Sequence, residues 1–148
     1  MTGESLEQTT LVLKRTFAAP REKVFRAWTD PAELKRWFHV EAEWSTPIAE
    51  VELRVGGKYR LGMQAPNAPT PYVVGGVFHE IKAPEKLVFS WKWEGQDSEE
   101  TRVTILFRDL NGSTEVELIH EKFPSSEERD KHGHGWAGCL QQLGSLFQ

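Results

Sequence analysis

The chain contains very little cysteine, with Cys139 as the single thiol among 148 residues. One cysteine excludes an internal disulfide and is typical of proteins kept in a reducing compartment. Long apolar runs are also missing, since none approaches the roughly 18 residues of a membrane-spanning helix. The opening MTGESLEQTT lacks the basic, apolar and small-residue sections of a signal peptide. We therefore expect a cytoplasmic protein that does not bind a membrane.

Positive charge is sparse and scattered. Lys and Arg total 18 against 22 Asp and Glu, a formal net charge of -4, and basic residues are never more than two in a row. A nucleic-acid-binding surface needs a concentrated basic face, so we predict no nucleic-acid partner. The sequence also lacks a GxSxG nucleophile motif, a phosphate loop and a dinucleotide fingerprint. We predict no cofactor.

What the chain does contain is typical of one globular domain. Hydrophobic residues make up 39% of it, charged residues 27%, and there are 6 Trp. A chain of that composition and length can bury a core without disulfides or structural metals. We predict a flexible tail over residues 1–9 and a single domain over residues 10–148.

The hydrophobic pattern begins with a strand and two short helices. Leu11 to Phe17 alternates with period two, which indicates a strand. After Pro20 the apolar residues recur at helical spacing. Asp30 before Pro31 is typical of a helix start, and this second helix is predicted to reach about His39.

Period-two alternation then dominates the middle of the chain. Residues 41–49 are polar and predict no strand, Gly56-Gly57 and Asn111-Gly112 predict hairpin turns, and Gly75-Gly76 suggests a bulge or bend. Leu87 to Trp93 places four apolar side chains, three of them aromatic, on one face. The predicted strands cover 51–55, 59–63, 72–81, 87–93, 102–110 and 113–123.

A long helix is predicted at the end of the chain. Ser125 and Glu128 form a capping box, and an apolar stripe follows, formed by Trp136, Leu140, Leu143 and Phe147. Four glycines interrupt this helix, so either the helix approaches the sheet closely or a space lies beneath it. They are Gly133, Gly135, Gly138 and Gly144. A bent antiparallel sheet packed on this helix places the chain in the α+β class.

Several segments together resemble a known family. FAAPREKVFRAWTDPAELKRWF, VELRVGGKYRLGM, GGVFHEIKAPEKLVFSWKW and the closing GW and CLQQL are similar, in order and spacing, to the activator of heat-shock protein 90 ATPase homologue-like branch of the START-like (SRPBCC) superfamily. The resemblance spans Thr10 to Phe147. It implies a helix-grip fold, in which the sheet wraps the last helix and the short helices close one end around a cavity for an apolar or amphipathic molecule.

The resemblance leaves more than one function open. The eukaryotic co-chaperone also uses a separate N-terminal domain, for which 148 residues have no room, so we do not expect chaperone activation to carry over. The superfamily also includes polyketide cyclases, which place polar groups among cavity aromatics, so fold alone does not decide between binding and catalysis.

The cavity candidates are large inward-facing residues of the sheet, the second helix and the last helix, and core packing is the alternative for each of them. They are Trp37, Phe38, Tyr59, Met63, Phe78, Phe89, Trp91, Trp93, His120, Trp136 and Leu140. By alternation, His120 lies on the same inward face of its strand as Val116 and Leu118. It is either a buried neutral histidine bonded to a neighbour or a ligand partner or general base in the cavity.

His132 and His134 invite a metal reading together with His39 and His120. Residues two apart on a helix point in different directions, and no cysteine or carboxylate completes a known spacing, so we predict no metal and expect these histidines to face solvent or cap the helix. Cys139 has no base beside it in sequence and is predicted to be a buried structural thiol.

The leading hypothesis is a domain that binds a hydrophobic small molecule, lipid-like or aromatic. One alternative is a cyclase-like or hydratase-like enzyme, which needs an inward polar pair such as His120 with Tyr59 or with a carboxylate. The other is an interaction module for a chaperone or another protein, which needs an exposed apolar patch. A homodimer formed through a helix or a strand edge is left open, whereas the charged outer faces of the strands, with Glu115, Glu117 and Glu121, disfavour pairing of two sheets.

Overall fold

The computed structural model describes residues 5–96 and 99–147, and these form seven strands and three helices. The strands are β1 (Leu11–Phe17), β2 (Ser45–Val51), β3 (Lys58–Gln64), β4 (Tyr72–Lys82), β5 (Lys86–Trp93), β6 (Thr101–Asp109) and β7 (Thr114–Glu121). The helices are α1 (Arg21–Thr29), α2 (Pro31–Trp37) and α3 (Ser126–Ser145). The predicted order of one strand, two short helices, six strands and a final helix is confirmed.

All seven strands belong to one antiparallel sheet in the order β1-β7-β6-β5-β4-β3-β2. Its inner face carries the aromatic side of β5 and packs on α3, where the ring of Trp136 lies 5.1 Å from that of Trp91. Trp136 also stacks on Trp28 of α1 at 5.8 Å, which joins the short helices to the same core. This is the helix-grip arrangement of the α+β class, as the sequence predicted.

The helices begin where the capping residues predicted. The Asp30 side chain accepts a hydrogen bond from the Ala32 amide at 2.9 Å, and Ser125 accepts one from the Glu128 amide at 3.2 Å. The end of α2 comes earlier than predicted, because Phe38 leaves helical geometry with φ -77° and ψ 67°. Within the described residues, no helix has the length and apolar character needed to cross a membrane.

The predicted strand over residues 51–55 is wrong. Strand β2 instead occupies the stretch that was read as polar, and it ends at Val51, which pairs with Tyr59 of β3. Leu53 and Val55 lie in the connection that follows and are 46% and 63% exposed. The edge strand β2 pairs on one side only and mixes polar with apolar residues, so its own alternation is weak.

The predicted bulge at Gly75-Gly76 is also misplaced. Both glycines keep regular pairing, and the extra residue lies at His79, between the pairs formed by Phe78 and by Glu80. Gly76 is required for a different reason, because a Cβ there would overlap the main chain of Ser90 on β5. The hairpin turn at 111–112 is confirmed, with φ of 60° at Asn111 and 105° at Gly112.

The glycines of α3 serve both of the roles that the sequence proposed. A Cβ at Gly138 would overlap the carbonyl group and side chain of Val40, and one at Gly144 would meet the Arg15 guanidinium of β1. These two positions let the helix approach its neighbours. A Cβ at Gly135, by contrast, would have no heavy atom within 4 Å.

Candidate ligand-binding site

A cavity of about 870 Å³, partly open to solvent, lies between α3 and the inner face of the sheet. We call it the main cavity. Its volume lies within the 300–1,000 Å³ that is usual for small-molecule sites. Its walls are mostly apolar and rich in aromatic rings, and Gly135 and Cys139 contribute from α3. The aromatic lining residues are Phe38, Trp44, Tyr72, Trp91, Trp93, Phe123 and Trp136.

The alternation of β5 explains the aromatic wall. Leu87, Phe89, Trp91 and Trp93 point to the inner face in succession, and the rings of the two tryptophans meet edge to face at 5.5 Å. At the start of the neighbouring strand β4, Tyr72 stacks on Trp44 at 6.3 Å with an interplanar angle of 23°. The predicted residues Phe38, Met63, Trp91, Trp93 and Trp136 all line this cavity.

Four other predicted residues lie instead around a second, much smaller space of about 20 Å³, here called the inner hollow. Trp37, Tyr59, Phe78 and Phe89 line it, and a volume of that size holds about one water molecule. The Trp37 indole donates to the carbonyl of Ala27 at 2.8 Å. These four residues therefore pack as aromatic core beside the main cavity.

Tyr59 has its hydroxyl fully committed. It donates to the Ser90 carbonyl at 2.6 Å, and burial, together with the charge of Glu100, raises the pKa of the phenol well above its usual value. The predicted residue Leu140 is likewise buried in the core, on the face of α3 that it shares with Leu143.

His120 lies behind the wall of the main cavity and is 0% exposed. The Trp136 indole N–H donates to its Nδ1 at 3.1 Å, and since an indole N–H only donates, that nitrogen carries no proton. Its Nε2–H therefore donates to Thr101 Oγ1 at 2.7 Å, and the Thr101 hydroxyl donates to the Trp91 carbonyl at 3.2 Å. Burial, and then the nearby His132, lower the pKa of His120 well below its usual value. The imidazole is neutral and fixes the orientation of Trp136.

His132 repeats this arrangement at the cavity surface. The Trp93 indole donates to His132 Nε2 at 2.9 Å, so the proton of the ring is on Nδ1, which donates to the Glu128 carbonyl at 2.8 Å. Burial lowers the pKa of His132. The expectation that His132 faces solvent or caps the helix is wrong, whereas His134 is exposed. The sequence held the signal, because His132 precedes Trp136 by four residues on the same helical stripe.

Metal binding and nucleophilic catalysis find no geometric support in residues 5–96 and 99–147. Across these residues, no three His, Cys, Asp or Glu side chains are grouped as a metal site would require. Burial raises the pKa of the Cys139 thiol to about 12, so it stays protonated at neutral pH. His120 and Tyr59, the polar pair given as an example for an enzyme, bond to separate partners, Thr101 and the Ser90 carbonyl.

Several lining residues escaped the sequence analysis because they lie on loops or on the exposed edge of a helix. Trp44 precedes β2, Tyr72 begins β4, and the polar rim comes from the loop after β5 and the first turns of α3. The rim residues are Gln96, Glu99, Glu128 and Lys131. Nothing in a local pattern brings these segments together, since only the antiparallel register places the ends of β5 and β7 and the starts of β4 and β6 at one end of the sheet.

Comparisons with known proteins agree with this architecture. A crystal structure of a protein from Chromobacterium violaceum is 25% identical, with a TM-score of 0.84, and the match covers 94% of this chain and 96% of that one. A second, from Nitrosomonas europaea, is 26% identical with a TM-score of 0.79 over 95% of each chain. A third, from Silicibacter pomeroyi, is 24% identical with a TM-score of 0.81 over 93% and 96% of the two chains.

Comparison with curated proteins gives no match. A family model, however, matches residues 18–148, nearly the whole of the helix-grip domain. Its description agrees with the resemblance carried by the helix, hairpin and C-terminal segments. The chain belongs to the family described as Activator of Hsp90 ATPase homolog 1-like protein.

Proposed function

We propose that this protein binds a hydrophobic small molecule, lipid-like or aromatic, in the main cavity. One observation carries the proposal: a space of about 870 Å³, lined mostly by apolar residues, lies between sheet and helix. A concave, mostly apolar space of this volume is typical of small-molecule sites, and a protein has few of them. The fold of this family is also commonly a ligand-binding domain.

The character of the walls supports an apolar ligand. Trp91, Trp136 and Phe38 present broad ring surfaces, and burying apolar area contributes about 25 cal/mol for each Å². The polar groups of His120 and Thr101 are already paired, since they bond to each other and the Thr101 hydroxyl bonds to the Trp91 carbonyl, whereas the buried Trp91 indole N–H has no partner among the described residues. A ligand that fills this space therefore gains mainly from apolar and ring contacts.

The experiment uses N-phenyl-1-naphthylamine, an uncharged probe whose fluorescence rises in apolar surroundings. Gly135 is the position for a cavity-filling change, because it lines the main cavity and a Cβ there contacts nothing within 4 Å. We expect the wild-type protein and Gly135→Ala to bind the probe alike. Gly135→Leu, whose side chain extends into the cavity, should bind it at least about ten-fold more weakly, a loss of about 1.4 kcal/mol.

Thermal unfolding of the three proteins provides the control, since the Leu variant must remain folded for its result to count. Native mass spectrometry of freshly purified wild-type protein adds an independent reading, with a co-purifying small molecule as the expected result. Absence of probe binding by the wild-type protein, or equal binding by a folded Leu variant, would contradict the proposal.

A further inference from the structure

Charge is distributed unevenly around the opening of the main cavity. Glu99, on the loop before β6, lines the cavity and forms no ion pair with any residue in the described part of the chain. Lys131, on α3, is the cation of the lining, and it lies 3.4 Å from Glu127 and 3.3 Å from Glu128. Its positive charge is therefore balanced by these two carboxylates. Among the described lining residues, carboxylates outnumber cationic side chains.

The other groups at the opening add no positive charge. His132 is neutral because its Nε2 accepts a hydrogen bond from the Trp93 indole N–H and therefore carries no proton of its own. The amino end of α3 carries the partial positive charge of a helix dipole, but the Ser125 side chain caps it and Glu127 and Glu128 occupy its first turn. An anionic ligand would therefore find no uncommitted cation among the described lining residues.

The same opening is rich in aromatic surface. Trp44 and Tyr72 stack on each other, and the half-buried Trp93 lies on β5 opposite Val74, two residues after Tyr72 on the neighbouring strand. Faces of tryptophan and tyrosine attract cations within about 6 Å of the ring, and the attraction is strongest for alkylammonium groups that are partly desolvated. Aromatic faces and surplus carboxylate charge thus meet at one end of an apolar cavity.

We propose that the ligand of the main cavity is a hydrophobic cation: an apolar chain or ring system that ends in an amine or quaternary ammonium group. The cationic head lies at the opening among Trp44, Tyr72 and Trp93, close to Glu99, and the apolar part extends inward toward Trp136 and Met63. This inference rests on the proposed function, since it assigns a chemical class to the molecule that the cavity binds.

The test compares ligands that share a tail and differ in head-group charge. Decyltrimethylammonium and decyl sulfate, each below its micellar concentration, compete with N-phenyl-1-naphthylamine for the wild-type protein at low salt. We expect the cation to displace the probe at about ten-fold lower concentration than the anion. The difference should shrink in 0.5 M salt, because ions screen exposed charges.

Three variants test the residues that carry the inference. Glu99→Gln should reduce the preference for the cation by about two- to five-fold, and Lys131→Gln, which releases Glu128, should increase it by a similar factor. The matched control is Glu22→Gln, an exposed carboxylate on α1 away from the cavity, which should leave the preference unchanged.

The outcomes separate this inference from the proposed function. If the neutral probe does not bind, the proposed function fails. If the probe binds but decyl sulfate displaces it as well as or better than decyltrimethylammonium, the cavity remains a binding site and the cationic ligand class is overturned. A cation preference that Glu99→Gln and Lys131→Gln do not move would overturn the assignment of these residues.

Discussion

At the scale of single residues, two neutral histidines hold two tryptophans of the cavity wall. His120 accepts a hydrogen bond from the indole N–H of Trp136, and His132 accepts one from the indole N–H of Trp93. The two imidazoles also lie 5.3 Å apart, so protonation of one disfavours protonation of the other. Each histidine is thus a structural acceptor whose function depends on its remaining uncharged.

The pH dependence of stability follows from this state. The pKa of His120 is lowered in the folded protein, so below about pH 6.5 the unfolded chain binds a proton that the folded chain does not. We expect the free energy of unfolding to be constant for this group above pH 7 and to fall with acidification, by at most about 1.4 kcal/mol at pH 5.5. Urea unfolding at several pH values between 5.5 and 8 measures this change in the free energy of unfolding.

The control for that experiment is the exposed His134. His120→Gln retains one donor and one acceptor but cannot titrate, so its stability should change less between pH 8 and 5.5 than that of the wild type. His134→Gln should keep the wild-type slope. Equal slopes for the His120 variant and the wild type would show that His120 does not titrate differently in the two states.

At the scale of elements, α3 is a helix whose glycines are placed by what lies opposite them. Gly138 faces the main chain of Val40, and Gly135 faces the main cavity, although the two positions are only three residues apart. Helix propensity alone would favour alanine at both by about 1 kcal/mol. The surroundings of each glycine therefore decide whether substitution by alanine stabilises or destabilises the protein.

We predict opposite effects for the two alanine substitutions. Gly138→Ala should destabilise the protein by about 1–3 kcal/mol, because the added methyl group overlaps the Val40 carbonyl and forces the helix away. Gly135→Ala should leave stability unchanged or raise it by up to about 1 kcal/mol. Midpoints of urea unfolding compare the two directly, and a destabilised Gly135→Ala would mean that the space beneath this position is not open.

At the scale of the whole molecule, the sheet and α3 seal the interior against reagents although the main cavity opens to solvent. Cys139 contributes to the cavity wall and is still only 2% exposed, packed with Leu140 and Leu143 in the core. Its thiol, with a pKa raised to about 12, carries far less thiolate at pH 8 than an ordinary cysteine does. Reaction at this residue therefore requires α3 or the cavity wall around it to move.

Alkylation of Cys139 by iodoacetamide at pH 8 measures that motion. Since this is the single cysteine, the mass of the intact protein reports the reaction without ambiguity. We expect the native protein to react at least about 100-fold more slowly than the urea-unfolded chain. Comparable rates in the two states would show that the helix opens readily.

The sequence by itself determined what depends on neighbours along the chain. The strand and helix order, the caps at Asp30 and Ser125, the 111–112 turn and the aromatic face of β5 follow from period, capping chemistry and backbone preference, which are local properties. The α+β class follows from them, because those apolar faces bury one another in few arrangements. The misplaced β2 and the early end of α2 mark where local alternation is weak or misleading.

Only the tertiary structure decided which inward residues face open space. Alternation predicts that a side chain points inward but not what stands across from it. Tyr59 and Trp91 were therefore equal candidates, although the first is core and the second lines the cavity. His132, Trp44 and Glu99 join the site through the meeting of distant segments. Gly135 and Gly138 are both glycines of α3. They differ only in what the fold places opposite them, which is open space at Gly135 and Val40 at Gly138.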